Sequence, residues 1–301
     1  MIYAVIDIGS NTIRLSVYKE KEGKIYNLFN EKERASLRSY IKNGKLNDKG
    51  IERLMETLTN FKLLINNFDD IDVVYPFATA TIRDSSNRSE ILKRVKDELG
   101  FDIEILSGEE ESKLSFIGAN SSLDIKRGVL TDIGGGSSEI VIIEQGKVIK
   151  STSLDIGSLS AFNDNVEFLF PSKKDKKNIE KAIEDELEDR NFYQEDHNTL
   201  CGVGGSARAS LKLYNEYYNI DKKNFTMDRK KLRDMIKDLI DHENKELLDL
   251  ILSVKADRVH TLIPGMIILD KICKYFNADT INISQTGVRE GYVYKKVLGK
   301  E

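Results

Sequence analysis

Leu130-Thr131-Asp132-Ile133-Gly134-Gly135-Gly136-Ser137-Ser138-Glu139 is an apolar strand that ends in an aspartate, passes through three glycines and returns in a second β-rich run to Ile143. The same layout opens the chain as Val5-Ile6-Asp7-Ile8-Gly9-Ser10-Asn11, followed by Thr12 to Tyr18; aspartates 7 and 132 stand 125 positions apart. A strand, a tight glycine turn and a returning strand bring backbone N–H groups and a carboxylate to one point. Glycines let the backbone approach an anion closely, and an aspartate can hold Mg²⁺ or a water attached to it, so the pattern suits a phosphate and its metal. Two copies predict two similar domains facing each other across a cleft.

The length of 301 residues, 40% of them hydrophobic, supports two domains with a core each. Lys+Arg 46 against Asp+Glu 50 leaves a net charge of -4, which offers no global attraction for nucleic acid; a polyanion site must be a local basic patch. Cys201 and Cys273 lack any CxxC or zinc spacing and read as reduced core cysteines. Met1 leads straight into the first strand, with no basic start or apolar h-region, and no apolar run approaches the ~18 residues of a membrane span. A cytoplasmic protein with neither nucleic acid nor membrane as partner is expected.

Strands are predicted at 3–8, 12–18 and 24–29, then a helix from Asn47 with Ile51, Leu54, Leu58, Phe61, Leu64 and Ile65 on one face, and a buried parallel-type strand from Ile71 to Ala78. A helix from about Arg88 to Leu99, a strand 102–106 and a helix 109–119 capped by Ser107 complete the first half. The second half repeats the opening with strands near 128–133, 139–143 and 147–154. Helices 172–189, 207–217, 228–242 and 264–276 and strands 199–203 and 280–284 follow. The domain boundary is expected near 119–126, giving domains 1–120 and 121–301.

Several further motifs stand in order with the two glycine turns: Ala78-Thr79-Ala80-Thr81-Ile82-Arg83-Asp84 with Asn87-Arg88, Ser107-Gly108-Glu109-Glu110-Glu111, Gly202-Val203-Gly204-Gly205-Ser206-Ala207-Arg208-Ala209, Ile263-Pro264-Gly265 and Gly287-Val288-Arg289-Glu290-Gly291. The ordered set resembles the exopolyphosphatase/guanosine pentaphosphate phosphatase family, of the actin-like, hexokinase-like, Hsp70-like superfamily. The resemblance implies an α/β fold of two ribonuclease H-like domains with an interdomain active-site cleft, in the short form without the helical C-terminal domain of longer members. Two loops depart from the family pattern. Ser36-Leu37-Arg38-Ser39-Tyr40 replaces an Arg-Leu-Gly-type loop, and Gly157-Ser158-Leu159-Ser160 lacks a basic residue common there.

Hydrolysis of a terminal phosphoanhydride needs a positioned phosphoryl group, neutralised oxygens and a base that orients water. The amides of the two turns, with Ser10, Asn11, Gly135, Gly136, Ser137 and Ser138, can cradle phosphate, although such glycines also simply close hairpins. Arg83 suits a phosphate grip or an ion pair with Asp84, and Gly204, Gly205 and Ser206 precede a helix, where amides receive anionic oxygens. Asp7, Asp132 and Glu139 are the candidate ligands of Mg²⁺ or Mn²⁺, or else turn formers.

By resemblance Glu111 is the catalytic glutamate and Glu110 the helix-end acid. The lysines at 173, 174, 176 and 177 could guide a polyanion or only coat a solvated helix, and His197, His242 and His260 read as structural. The expected reaction is release of terminal phosphate from inorganic polyphosphate, with guanosine pentaphosphate or tetraphosphate an open alternative, and a preference for short or medium chains. Competing readings are a phosphotransferase or ATPase of the same superfamily and a catalytically silent alarmone-binding regulator; a homodimer is an open alternative to a monomer.

Overall fold

A computed structural model describes the chain except residues 69, 193–196, 242–244 and 301. It divides into two compact units: Met1–Glu111 with Tyr292–Glu301, and Ser112–Gly291. The division falls inside two helices, α4 (Gly108–Leu123) and α11 (Val288–Leu298), whereas the expected boundary at 120/121 lies within the last turn of α4. The return of the last ten residues to the first unit was not foreseen, because a short amphipathic segment carries no mark of where it docks.

The first unit contains β1 (Ile2–Ile8), β2 (Thr12–Lys21), β3 (Lys24–Arg34), β4 (Ile41–Lys42), β5 (Lys45–Leu46), α1 (Asp48–Asn66), β6 (Val73–Ala78), α2 (Ala80–Arg83), α3 (Arg88–Leu99) and β7 (Glu104–Ile105). Its sheet runs β3-β2-β1-β6-β7, with β1 antiparallel to β2 and parallel to β6. The Asn47 side chain accepts from the amide of Gly50 and starts α1, whose expected face, Ile51, Leu54, Leu58, Phe61 and Ile65, is buried. That stripe joins Ala4, Ile6, Ile8, Ile13 and Leu15 in one core. The hairpin β4–β5 was not anticipated, since two-residue strands leave no periodicity to read.

The second unit contains β8 (Gly128–Ile133), β9 (Ser138–Glu144), β10 (Lys147–Leu154), α5 (Ser158–Asn165), α6 (Lys173–Asp189), β11 (Thr199–Val203), α7 (Gly204–Tyr217), β12 (Thr226–Asp228), α8 (Arg229–Asp241), α9 (Lys245–Lys255), α10 (Leu262–Tyr275) and β13 (Thr280–Ile283). Its sheet runs β10-β9-β8-β11-β13, with β12 added antiparallel at the edge. Its first five strands therefore repeat the order and direction of the first unit, with β8 antiparallel to β9 and parallel to β11. Both units are α/β, with the ribonuclease H-like strand order that actin-like proteins duplicate. Helix α10 is buried along nearly its whole length and forms the centre of this unit's core, against α6, α7 and α8. Cys201 and Cys273 are buried and free, as expected of core cysteines. No helix among the described residues is long and apolar enough to cross a membrane. His242 lies outside the described residues.

Candidate active site

The two glycine turns are closed by the same backbone bond. Gly9 N donates to Thr12 O at 3.1 Å, and 125 residues later Gly134 N donates to Ser137 O at 2.9 Å. Behind each turn a loop ties down its carbonyls. Ala35 N and Ser36 N donate to Asn11 O, and Arg38 N donates to Ser10 O at 3.0 Å. In the second unit Ser158 N donates to Gly134 O, and Leu159 N and Ser160 N donate to Gly135 O at 2.8 and 2.9 Å. These braces are the loops around 36–40 and 157–160 singled out in the sequence. With its carbonyls turned into the brace, each turn presents its amides elsewhere, and no acceptor among the described residues takes the amides of Ser10, Asn11, Gly135 or Gly136. Backbone donors gathered in this way form an anion-binding concavity.

In the first unit the turn is joined to the glutamates through α2. Thr81 Oγ1 donates to Ser10 Oγ at 2.7 Å, and two residues on, Arg83 Nη1 donates to Glu111 Oε2 at 2.5 Å and to Leu106 O. Arg83 also bonds Asp84, so the ion-pair role expected as an alternative is realised, and it extends to Glu111. Burial opposes the guanidinium charge most strongly, yet Glu111 and Asp84 together raise its pKa above the ordinary arginine value. Glu111 is only 6% exposed. Glu110 instead completes a capping box, accepting from Ser107 N and Oγ at 2.8 Å each while Ser107 Oγ accepts from Glu110 N. Those Ser107 bonds, the backbone one foremost, hold the Glu110 carboxyl below the usual range. Three identical residues are thus separated by helix geometry, with Glu110 at the cap and Glu111 turned inward.

The cross-strand register shows where the two copies differ. Asp7 stands opposite Arg14, but Asp132 stands opposite Glu139. Like charges directly opposite on a ladder are destabilising unless a cation lies between them. Glu139 is buried and accepts from Ser137 Oγ at 2.9 Å and Ser153 Oγ at 2.8 Å; Asp132 accepts from Ser115 Oγ at 2.9 Å. Burial pushes the Asp132 carboxyl up, against the lowering effects of Ser115, Arg208 and Arg289. The pair offers hard carboxylate oxygens of the kind Mg²⁺ takes, so the residues present fit the ion. No group of three or more His, Cys, Asp or Glu side chains that could hold a metal forms among the described residues, which leaves waters and substrate oxygens to complete a shell.

The helix α7 begins at Gly204, earlier than expected, so the glycines form the helix N-terminus itself and their amides lack intrahelical acceptors. Gly204 has φ +82°, and a Cβ there would lie 2.1 Å from Asp132 Oδ1; only glycine allows both the left-handed backbone and the close carboxylate. Two serine hydroxyls serve the scaffold. Ser138, wholly buried, donates to Ile156 O at 2.6 Å, and Ser206 Oγ lies between Ser158 Oγ at 3.3 Å and Arg258 Nη1 at 3.2 Å.

Arg258 was not singled out in the sequence. It is 9% exposed, burial lowers its pKa, and no carboxylate among the described residues lies in ion-pair range. A surface-like composition around it, Ala256-Asp257-Arg258, hid a cation that the fold buries beside Gly205. The basic run of α6 is largely the solvated face foreseen as its plainer role. Ser172 caps it with Asp175, Lys173 pairs with Asp241 and Lys176 with Glu180.

A crystal structure of an Aquifex aeolicus Ppx/GppA family member is similar over 99% of this chain and 98% of that one, with TM-score 0.81 and 26% identity. An exopolyphosphatase structure from Cytophaga hutchinsonii has TM-score 0.87 at 19% identity over 100% and 99% of the chains, a likeness of fold. Among curated proteins, a bifunctional 3-dehydroquinate synthase/phosphatase of Fusobacterium nucleatum is 28% identical over 99% of this chain and 47% of its own length. A guanosine-5'-triphosphate,3'-diphosphate pyrophosphatase of Photobacterium profundum is 26% identical over 98% and 59%. The chain thus spans about half the length of the curated relatives it matches. The model of the Ppx/GppA phosphatase family matches residues 16–300, and the chain belongs to that family.

Proposed function

We propose that this protein is a phosphoanhydride hydrolase that releases terminal phosphate from inorganic polyphosphate, with guanosine pentaphosphate as a second substrate. The observation that carries the reading is the first unit's arrangement, in which α2 joins an anion-holding turn to a buried glutamate held by Arg83. In phosphoryl transfer the transition state is loose, so orienting the water and stabilising charge matter more than a strong base. Glu111, fixed by its bond to Arg83, accepts a hydrogen bond from the attacking water and aligns it. The amides of Ser10 and Asn11, and of Gly135 and Gly136 in the second unit, hold phosphate oxygens, as do the α7 N-terminus and the buried Arg258 cation.

Asp132 and Glu139 would hold Mg²⁺, with Asp7 as a further candidate, and the ion when bound neutralises charge on the phosphate oxygens. A regulator that only binds an alarmone would have no use for an inward glutamate fixed by an arginine. The deciding experiment is phosphate release from polyphosphate, guanosine pentaphosphate and ATP, each with Mg²⁺ and with excess EDTA. Release from polyphosphate that stops in EDTA is expected. Hydrolysis of ATP alone would replace this reading with an ATPase, and full activity in EDTA would remove the metal.

A further inference from the structure

The hairpin β4–β5 turns through Asn43-Gly44, both at positive φ, and sets Lys42 directly opposite Lys45. Two ammonium groups facing each other across a two-residue turn repel, so the arrangement costs stability by itself. The fold nevertheless pins this hairpin firmly. Ser86 N and Oγ donate to Gly44 O at 2.8 and 3.1 Å. The Asn87 side chain accepts from Leu46 N and donates to Leu46 O at 3.1 and 2.9 Å. Ser86 and Asn87 belong to the loop that follows Arg83, and the next residue, Arg88, reaches back to donate from Nη1 to Arg83 O at 2.9 Å. On the other side the hairpin continues from Arg38, whose amide braces the Ser10 carbonyl.

None of Arg38, Lys42, Lys45 or Arg88 has a carboxylate partner among the described residues. On the adjoining α3 the basic side chains are neutralised: Lys93 by Asp97, Arg94 by Glu52 and Glu98, Lys96 by Asp102. The segment hydrogen-bonded to the Arg83 loop and to the anion-holding turn thus carries several unpaired cations close together in the chain, two of them facing each other across the hairpin. Its like-charged pair is relieved by a ligand carrying closely spaced negative charges.

We propose that Lys42 and Lys45, with Arg38 and Arg88 beside them, form a subsite for the internal phosphates of a linear polyphosphate whose terminal group lies at Arg83 and Glu111. The subsite rests on the hydrolase reading above, and it makes polyphosphate the substrate class for which this chain carries a dedicated grip. Lys42, Lys45 and Arg88 are exposed and Arg38 half-buried, so their effect falls with salt and appears in binding of long chains rather than in turnover.

The test uses the full chain and its K42E/K45E variant. Binding of long-chain polyphosphate is followed in EDTA at low salt, and kinetics are followed with both long-chain polyphosphate and tripolyphosphate. For the variant, roughly tenfold weaker binding and a similar rise in KM for the long chain are expected, with kcat and tripolyphosphate kinetics unchanged. Lys42→Arg/Lys45→Arg restores the wild-type values. Unchanged affinity for the long chain overturns the subsite while leaving the hydrolase intact. Failure of the wild type to hydrolyse either substrate overturns the hydrolase reading, and the binding measurement still decides the subsite. Equal, variant-sensitive binding of single-stranded RNA would also overturn it, by making the patch a nucleic-acid surface.

Discussion

Glu110 and Glu111 are chemically identical neighbours in different surroundings, one in the Ser107 capping box and one bonded to Arg83, and their substitutions should separate cleanly. Glu111→Gln keeps the shape of the side chain but weakens its hold on water and on Arg83, so turnover should fall by about 10²-fold or more with little change in KM. Glu110→Gln removes a charged acceptor from the Ser107 capping box and should cost about 0.5–1 kcal/mol of stability at nearly normal turnover. Steady-state kinetics and urea unfolding of both variants check this, and exchanged outcomes would overturn the assignment. Asp132 is expected to behave as a functional residue that costs stability. Its folded pKa is raised by burial, so its stabilising contribution is complete below the unfolded value and is lost as pH rises through the folded value. At neutral pH Asp132→Asn should therefore melt at the same or a higher temperature than the wild type, an advantage that disappears below about pH 4. Mg²⁺ should raise the melting temperature of the wild type and not of the variant; a lower melting temperature for Asp132→Asn at neutral pH would contradict the burial argument.

At the scale of elements, each glycine turn is held by a brace that acts through backbone amides. Gly157 shows how little room that brace has: a Cβ there would lie 2.6 Å from Gly135 C and 2.7 Å from Ser137 N, both backbone atoms that cannot swing away. Gly157→Ala should push the second turn out of place, costing roughly 1–3 kcal/mol and most of the activity. Differential scanning fluorimetry and a phosphate-release assay measure both effects, and a variant with normal stability and rate would show that the brace is dispensable. What the two braces supply is amide N–H groups and close approach of backbone to the turns.

At the scale of the whole molecule, the chain finishes in the unit where it began. Tyr292, 2% exposed, stacks on Phe77 with ring centroids 4.8 Å apart, meets Tyr75 edge-on and donates its hydroxyl to Glu104, which also pairs with Lys296 at 2.9 Å. Burial, and then the Glu104 carboxylate, drive the Tyr292 phenol well above its usual pKa, so it remains a donor at every physiological pH. Tyr292→Ala should cost about 3–5 kcal/mol through the cavity and the stranded Glu104 acceptor. Tyr292→Phe, which keeps the ring, should cost about 1–2 kcal/mol. Chemical denaturation of the two variants tests the order, and equal losses would mean that packing contributes nothing beyond the hydrogen bond.

Much of this molecule follows from local pattern. Apolar strands ending in Asp and glycine, the stripe along α1, the Ser107 cap and the duplicated spacing are properties of neighbouring residues, so they specify the strands, the helix face and the two turns without knowledge of distant contacts. Glu110 was told from Glu111 in the sequence only by family resemblance; the capping box with Ser107 that sets Glu110 apart became visible in the structure. Tertiary structure alone decided that Arg83 holds Glu111, that Arg258 is buried beside Gly205, that the loops around 36–40 and 157–160 brace the turns and that Tyr292 closes the first unit. Each of these joins residues far apart in the chain through burial or a hydrogen bond, and a charge or an aromatic ring looks the same in sequence whether the fold leaves it in water or encloses it.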